Sequence, residues 1–82
     1  MLTAEQVKDH IQQGLSCDHI AVKSNDGQHF EAVIVSSRFT GKSMVQQHQL
    51  VYQALGDRMR EEIHALSMRT FTPETWARIE TN

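Results

Sequence analysis

Residues 20–36 read Ile20-Ala21-Val22-Lys23-Ser24-Asn25-Asp26-Gly27-Gln28-His29-Phe30-Glu31-Ala32-Val33-Ile34-Val35-Ser36, two alternating runs on either side of a turn. Ile20, Val22 and Ser24 alternate with Ala21 and Lys23, the period of a half-buried strand. Asn25-Asp26-Gly27 is a strong hairpin-turn signal. Alternation resumes from His29 to Ser36, with Phe30, Ala32 and Ile34 on one face and Glu31, Val33 and Val35 on the other. The stretch predicts a β-hairpin whose apolar face needs a cover.

The flanks supply it. Upstream, Thr3 and Gln6 form a capping box, and Ala4, Val7, Ile11 and Leu15 follow at helical spacing. Gly14 weakens the last turn of that helix. Downstream, Arg38-Phe39-Thr40-Gly41-Lys42 reads as a loop. Ser43 and Gln46 form a second capping box, and Met44, His48, Val51 and Leu55 repeat at helical spacing, widened by Val45 and Leu50. Gly56 is a helix stop, and Asp57 to Glu62 forms a further short helix or turn. Ile63 to Phe71 alternates as a third strand. Thr72 and Pro73 then open a last helix as N-cap and first helical residue, with Trp76 and Ile79 as its apolar contacts. The order αββααβα predicts an α+β two-layer sandwich over a three-stranded mixed sheet. Helices are expected on one face through Val7, Ile11, Val51, Leu55 and Trp76. Residues 1–82 read as one domain.

Composition narrows the function. At 82 residues the chain has little interior for a closed catalytic pocket, and no nucleophile, P-loop or paired-carboxylate constellation is present, so it does not read as an enzyme. The net charge of −2 argues against nucleic-acid binding through bulk charge. The single cysteine, Cys17, can build neither an internal disulfide nor a Cys-only metal site. That suits a reducing compartment. Glu5, Lys8 and Asp9 interrupt any signal-peptide core, and Val33-Ile34-Val35 is too short to span a bilayer. A soluble cytoplasmic protein without membrane association is expected.

Several stretches resemble the BolA family in order and spacing. They are Gly27-Gln28-His29-Phe30, Val35-Ser36-Ser37-Arg38-Phe39-Thr40-Gly41-Lys42, Gln47-His48-Gln49-Leu50-Val51-Tyr52, Ile63-His64-Ala65-Leu66-Ser67 and Thr70-Phe71-Thr72-Pro73-Glu74-Thr75-Trp76. The resemblance covers nearly the whole chain, and the compact turn before His29 is similar to the short-loop branch. It implies a fold similar to class II KH domains. It also implies partnership with a monothiol glutaredoxin, the two proteins sharing a bridging [2Fe–2S] cluster or forming a cluster-free complex in iron handling. Some members of the family are also described as DNA-binding regulators of cell shape and stress response.

By that resemblance His64 matches a cluster ligand, and imidazole can replace thiolate on iron in such centres. The resemblance places a second ligand, His or Cys, in the loop between the first two strands, and His29 is the only candidate there. The glutaredoxin's cysteine and a glutathione thiolate would complete the cluster, with no cofactor expected in the isolated protein, a monomer or homodimer. Cys17 lies outside that loop, and free cysteine is most often a small buried apolar residue. His48 reads as a packed, hydrogen-bonded histidine. The family flanks it with arginines where this chain has Gln47 and Gln49. Arg38, Lys42, Arg58 and Arg60 are the candidates for nucleic-acid contacts. Met44 to Gly56 carries no Lys or Arg, so only weak nucleic-acid binding is expected.

Overall fold

The computed structural model describes residues 2–62 and 65–80, without the side chains of residues 58–62. Helix α1 (Ala4–Gly14) begins at the expected capping box: Thr3 Oγ1 accepts from the Gln6 N–H at 3.1 Å, and Gln6 Oε1 from the Thr3 N–H at 2.9 Å. The same reciprocal pair joins Ser43 and Gln46 at the start of α2 (Met44–Glu62). Gly56, with φ 76°, breaks α2 where a helix stop is expected. That left-handed conformation is open to glycine without steric cost. A short 3-10 turn, Ser37–Phe39, lies within the segment read as a loop, and α3 spans Pro73–Glu80.

Among the described residues the strands β1 (His19–Lys23), β2 (His29–Val35) and β3 (Ala65–Phe71) form one sheet in the order β1-β2-β3. β1 runs antiparallel to β2, pairing Ile20 with Ile34 and Lys23 with Glu31. β3 runs parallel to β2, pairing His29 with Ala65 and Val35 with Phe71. A parallel pair cannot be joined by a tight turn, and α2 provides the crossover. Ile63 and His64, expected to open the third strand, lie outside the described residues.

The core lies between the sheet and the pair α1 and α2. Val7 and Ile11 of α1 and Val51 and Leu55 of α2 are buried against Ile20, Phe30, Ala32 and Ile34. The sequence places all eight on that shared face. Phe39 joins them at 0% exposure. Its 3-10 turn folds it back under the sheet, and no periodicity announces so short an element. Ser36 is also fully buried, its Oγ donating to the Ser16 carbonyl at 2.6 Å and accepting from the Arg38 N–H at 3.1 Å. Thr70 Oγ1 donates to Gln47 Oε1 at 2.6 Å, tying β3 to the first turns of α2.

Three expectations need correction. Trp76 does not join the helices over the core. Its ring stacks on His19, with centroids 5.1 Å apart, and leans on Phe71 at 5.3 Å. His19 and Phe71 alternate with the core-facing Ile20 and Thr70, so both point to the opposite, far face of the sheet. There α3 covers the His19–Val35–Phe71 row, which explains why Val35 is buried outside the main core. Met44, Val45 and Ile79, read as apolar-face residues, are exposed. The buried stripe of α2 begins at Val51, and α3, with no buried residue, rests on Trp76. Finally, His48 Nε2 is buried without a hydrogen-bond partner among the described residues, although a hydrogen-bonded histidine is expected there. An unmet buried polar atom costs about 1–3 kcal/mol.

Gly14 has a reason beyond ending α1. A Cβ there would lie 2.8 Å from Ala54 Cα, inside α2. The two helices meet backbone to backbone at this point. Gly14→Ala should therefore cost about 1–3 kcal/mol by overpacking, despite alanine's better helix propensity. Denaturant unfolding checks this: the midpoint should fall with the m-value unchanged.

Candidate metal centre

The loop 24–28 is shaped by Asp26. Its Oδ1 accepts the N–H groups of Gln28 (2.9 Å) and His29 (2.8 Å), an Asx-type turn. The Gly27 N–H donates to Ser24 Oγ at 3.0 Å. Asp26 Oδ2 meets His29 Nδ1 at 2.7 Å. The His29 N–H, then its ring, then the Gln28 N–H hold the Asp26 carboxyl well below the usual carboxylate range. An ionised carboxylate carries no proton, so Nδ1 is the donor, and a neutral His29 ring has its lone pair on Nε2. This is the carboxylate–histidine arrangement that orients an imidazole for a metal. Composition and family pattern single out His29. Asp26 reads from the sequence only as a turn residue. Its spacing three residues before a histidine is the signal that could have revealed its second task.

His29 is exposed at the head of β2, and its register partner is Ala65. The Ala65 N–H also donates to the Gln28 carbonyl at 3.2 Å. An open cavity of about 340 Å³ lies there, lined by Asp26, His29, Glu31, Ala65 and Ser67 among others. The other candidate ligand, His64, immediately precedes Ala65 in the chain and lies outside the described residues. Among the described residues no group of three or more His, Cys, Asp or Glu side chains could hold a metal. Among the described candidate ligands, His29 alone stands at this end of the sheet, so a metal held there would need further ligands.

Cys17 belongs to the other end of the molecule. It precedes Asp18, whose N–H bonds the Val35 carbonyl at 2.7 Å. The length of β2 separates that end from His29 by about 20 Å. The Cys17 thiol is half-buried and donates to the Leu15 carbonyl at 3.2 Å. Burial, then the neighbouring Asp18, push its pKa up, which disfavours the thiolate a metal needs. Arg38 and Lys42 are exposed beyond the C-terminal end of β2, so the sheet separates them from His29. The side chains of Arg58 and Arg60 lie outside the described residues.

The family model described as BolA-like protein matches residues 5–75. This chain belongs to the BolA-like family. BolA-like protein 2 of Homo sapiens is 33% identical over 81 residues, covering 94% of this chain and 93% of that protein. The protein named DNA-binding transcriptional regulator BolA in Haemophilus influenzae is 47% identical over 55 residues, 65% of this chain and 53% of its own length. Among solved structures, a BolA homologue from Coxiella burnetii matches with a TM-score of 0.78 and 40% identity, covering 94% of this chain and 99% of that one. The BolA-like assignment agrees with the α+β order and mixed sheet expected from the sequence. No helix among the described residues is long and apolar enough to cross a membrane.

The Asp26–His29 pair has a measurable signature. A carboxylate with a depressed pKa contributes stability above its unfolded value and loses it as pH falls through the folded one. Asp26 therefore leaves stability flat through neutrality. NMR of the Asp26 carboxyl carbon should show it still ionised at about pH 3, below the ordinary aspartate value of about 3.9. In His29→Ala the ring contact is lost and the backbone N–H remains, so the carboxyl should titrate higher while staying below the ordinary value.

Proposed function

We propose that this protein is a non-catalytic accessory that partners a monothiol glutaredoxin in iron homeostasis, binding or passing on a bridging [2Fe–2S] cluster. The observation that carries the reading is the register of β2 and β3. It pairs His29, its Nδ1 held by Asp26, with the residue that follows His64. His29 opens β2 at one end of the sheet, and His64 is one residue before Ala65 in the chain. The cluster, once shared, would take His29 and His64 from this chain and thiolates from the glutaredoxin and glutathione. This chain's own part is to present imidazole with a fixed proton on Nδ1, at an exposed end of the sheet that a second protein can reach.

A second reading, a DNA-binding transcriptional regulator, draws on the name of the Haemophilus influenzae relative and on the exposed Arg38 and Lys42. The stretch Met44 to Gly56, without Lys or Arg, and the net charge of −2 favour the first reading.

Anaerobic co-purification with a monothiol glutaredoxin and glutathione should give a complex with a visible-region cluster spectrum. His64→Ala and His29→Ala should each alter that spectrum. His29 is exposed, and exposed substitutions usually cost under about 0.5 kcal/mol, so the isolated His29→Ala protein should keep its fold, and circular dichroism of each isolated variant checks this. An unaltered spectrum in both variants would remove the ligand assignment. Acidification from about pH 8 to pH 5 should bleach the cluster as imidazole protonates, with Asp26 ionised throughout. DNA affinity should be weak and salt-sensitive, and sequence-specific binding tighter than about 10⁻⁸ M at physiological salt would favour the regulator.

A further inference from the structure

We propose that His19 and Trp76 form a pH-sensitive latch that holds α3 on the far face of the sheet and tightens when His19 is protonated. α3 is eight residues long and none of them is buried. A helix so short is marginal by itself, so its place depends on what it touches. Its Trp76 ring is an aromatic anchor. It stacks on the His19 imidazole at 5.1 Å with only 18° between the planes, and leans on Phe71 at 5.3 Å and 47°. Beneath the row lies Val35, 1% exposed and outside the main core. Opening the latch would expose Val35 and Phe71 without disturbing Val7, Ile11, Val51 or Leu55.

A neutral imidazole offers Trp76 area and dispersion. A protonated one adds the attraction of a cation for the indole face. The charged groups on the elements around His19 are Asp18 beside it in the chain, Lys23 and Glu31 paired at 3.4 Å at the other end of β1, Arg69 on β3, and the exposed Glu74, Arg78 and Glu80 of α3. Arg69 sits over the Phe71 ring at 5.3 Å, on the side of the cluster away from His19 in the sheet order, and the Asp18 carboxylate accepts the Ser37 N–H at 3.0 Å. The latch is independent of the metal reading, because His19 and His29 occupy opposite ends of the sheet.

Trp76 is the only tryptophan, so its emission reads the latch directly in the whole protein. Protonated imidazole in contact with indole quenches it. Emission should fall as a single titration between about pH 8 and pH 5. Amide exchange in α3, corrected for the intrinsic pH dependence, should slow about two- to fivefold over the same range, the gain of an exposed cation–π contact. His19→Gln should abolish both changes. His19→Phe, which keeps the stack without a titratable group, should keep α3 protected and make emission flat with pH. A wild-type emission that does not titrate, a titration that survives in His19→Gln or His19→Phe, or faster exchange in acid would each overturn the latch.

Discussion

Parallel strands that lie side by side must be fed from the same end, and the chain must travel the length of the sheet between them. In this protein that requirement decides the layout. β2 ends at Val35, and β3 has to begin again beside His29. The segment between them contains the Ser37–Phe39 turn and the broken helix α2. The return journey is also what delivers Val51 and Leu55 to the sheet and brings Gln47 against Thr70. The core and the candidate metal centre are two results of one pairing.

The hairpin and the two core helices were legible because their burial is periodic. Phe30, Ala32 and Ile34 alternate, while Val7 and Ile11, like Val51 and Leu55, stand four residues apart, and tertiary packing follows those patterns. The misreadings concern residues whose surroundings no local period records. Val35 looks like any outward strand residue until α3 is known to cross to the far face. Trp76 has helical spacing to Ile79, yet its partners are the aromatic rings of His19 and Phe71, distant in sequence. Phe39 is buried by a single turn too short to show a repeat.

The candidate centre was legible in part. The family resemblance singles out His29, the one His or Cys around the short hairpin turn. Its orientation rests on Asp26, whose role depends on the fold of five residues and on which carboxylate oxygen faces which donor. The turn that closes the hairpin and the group that aims the imidazole are the same side chain. A change made to the loop for one purpose is therefore felt in the other. His48 offers the opposite lesson: its helical position was legible, and the lack of a partner for its buried nitrogen among the described residues was not.

The crossover also sets the order in which the molecule can come into being. α1, β1 and β2 emerge from the ribosome as a local unit, able to pair and to close the loop around Asp26. Residues 36–64 must follow before β3 can dock, and pairings so distant along the chain form late because the loop-closure entropy comes first. A nascent or prematurely terminated chain ending before Ala65 could thus carry a finished His29–Asp26 loop and still lack the strand beside it. That end of the sheet is complete only once β3 has been translated and has paired with β2.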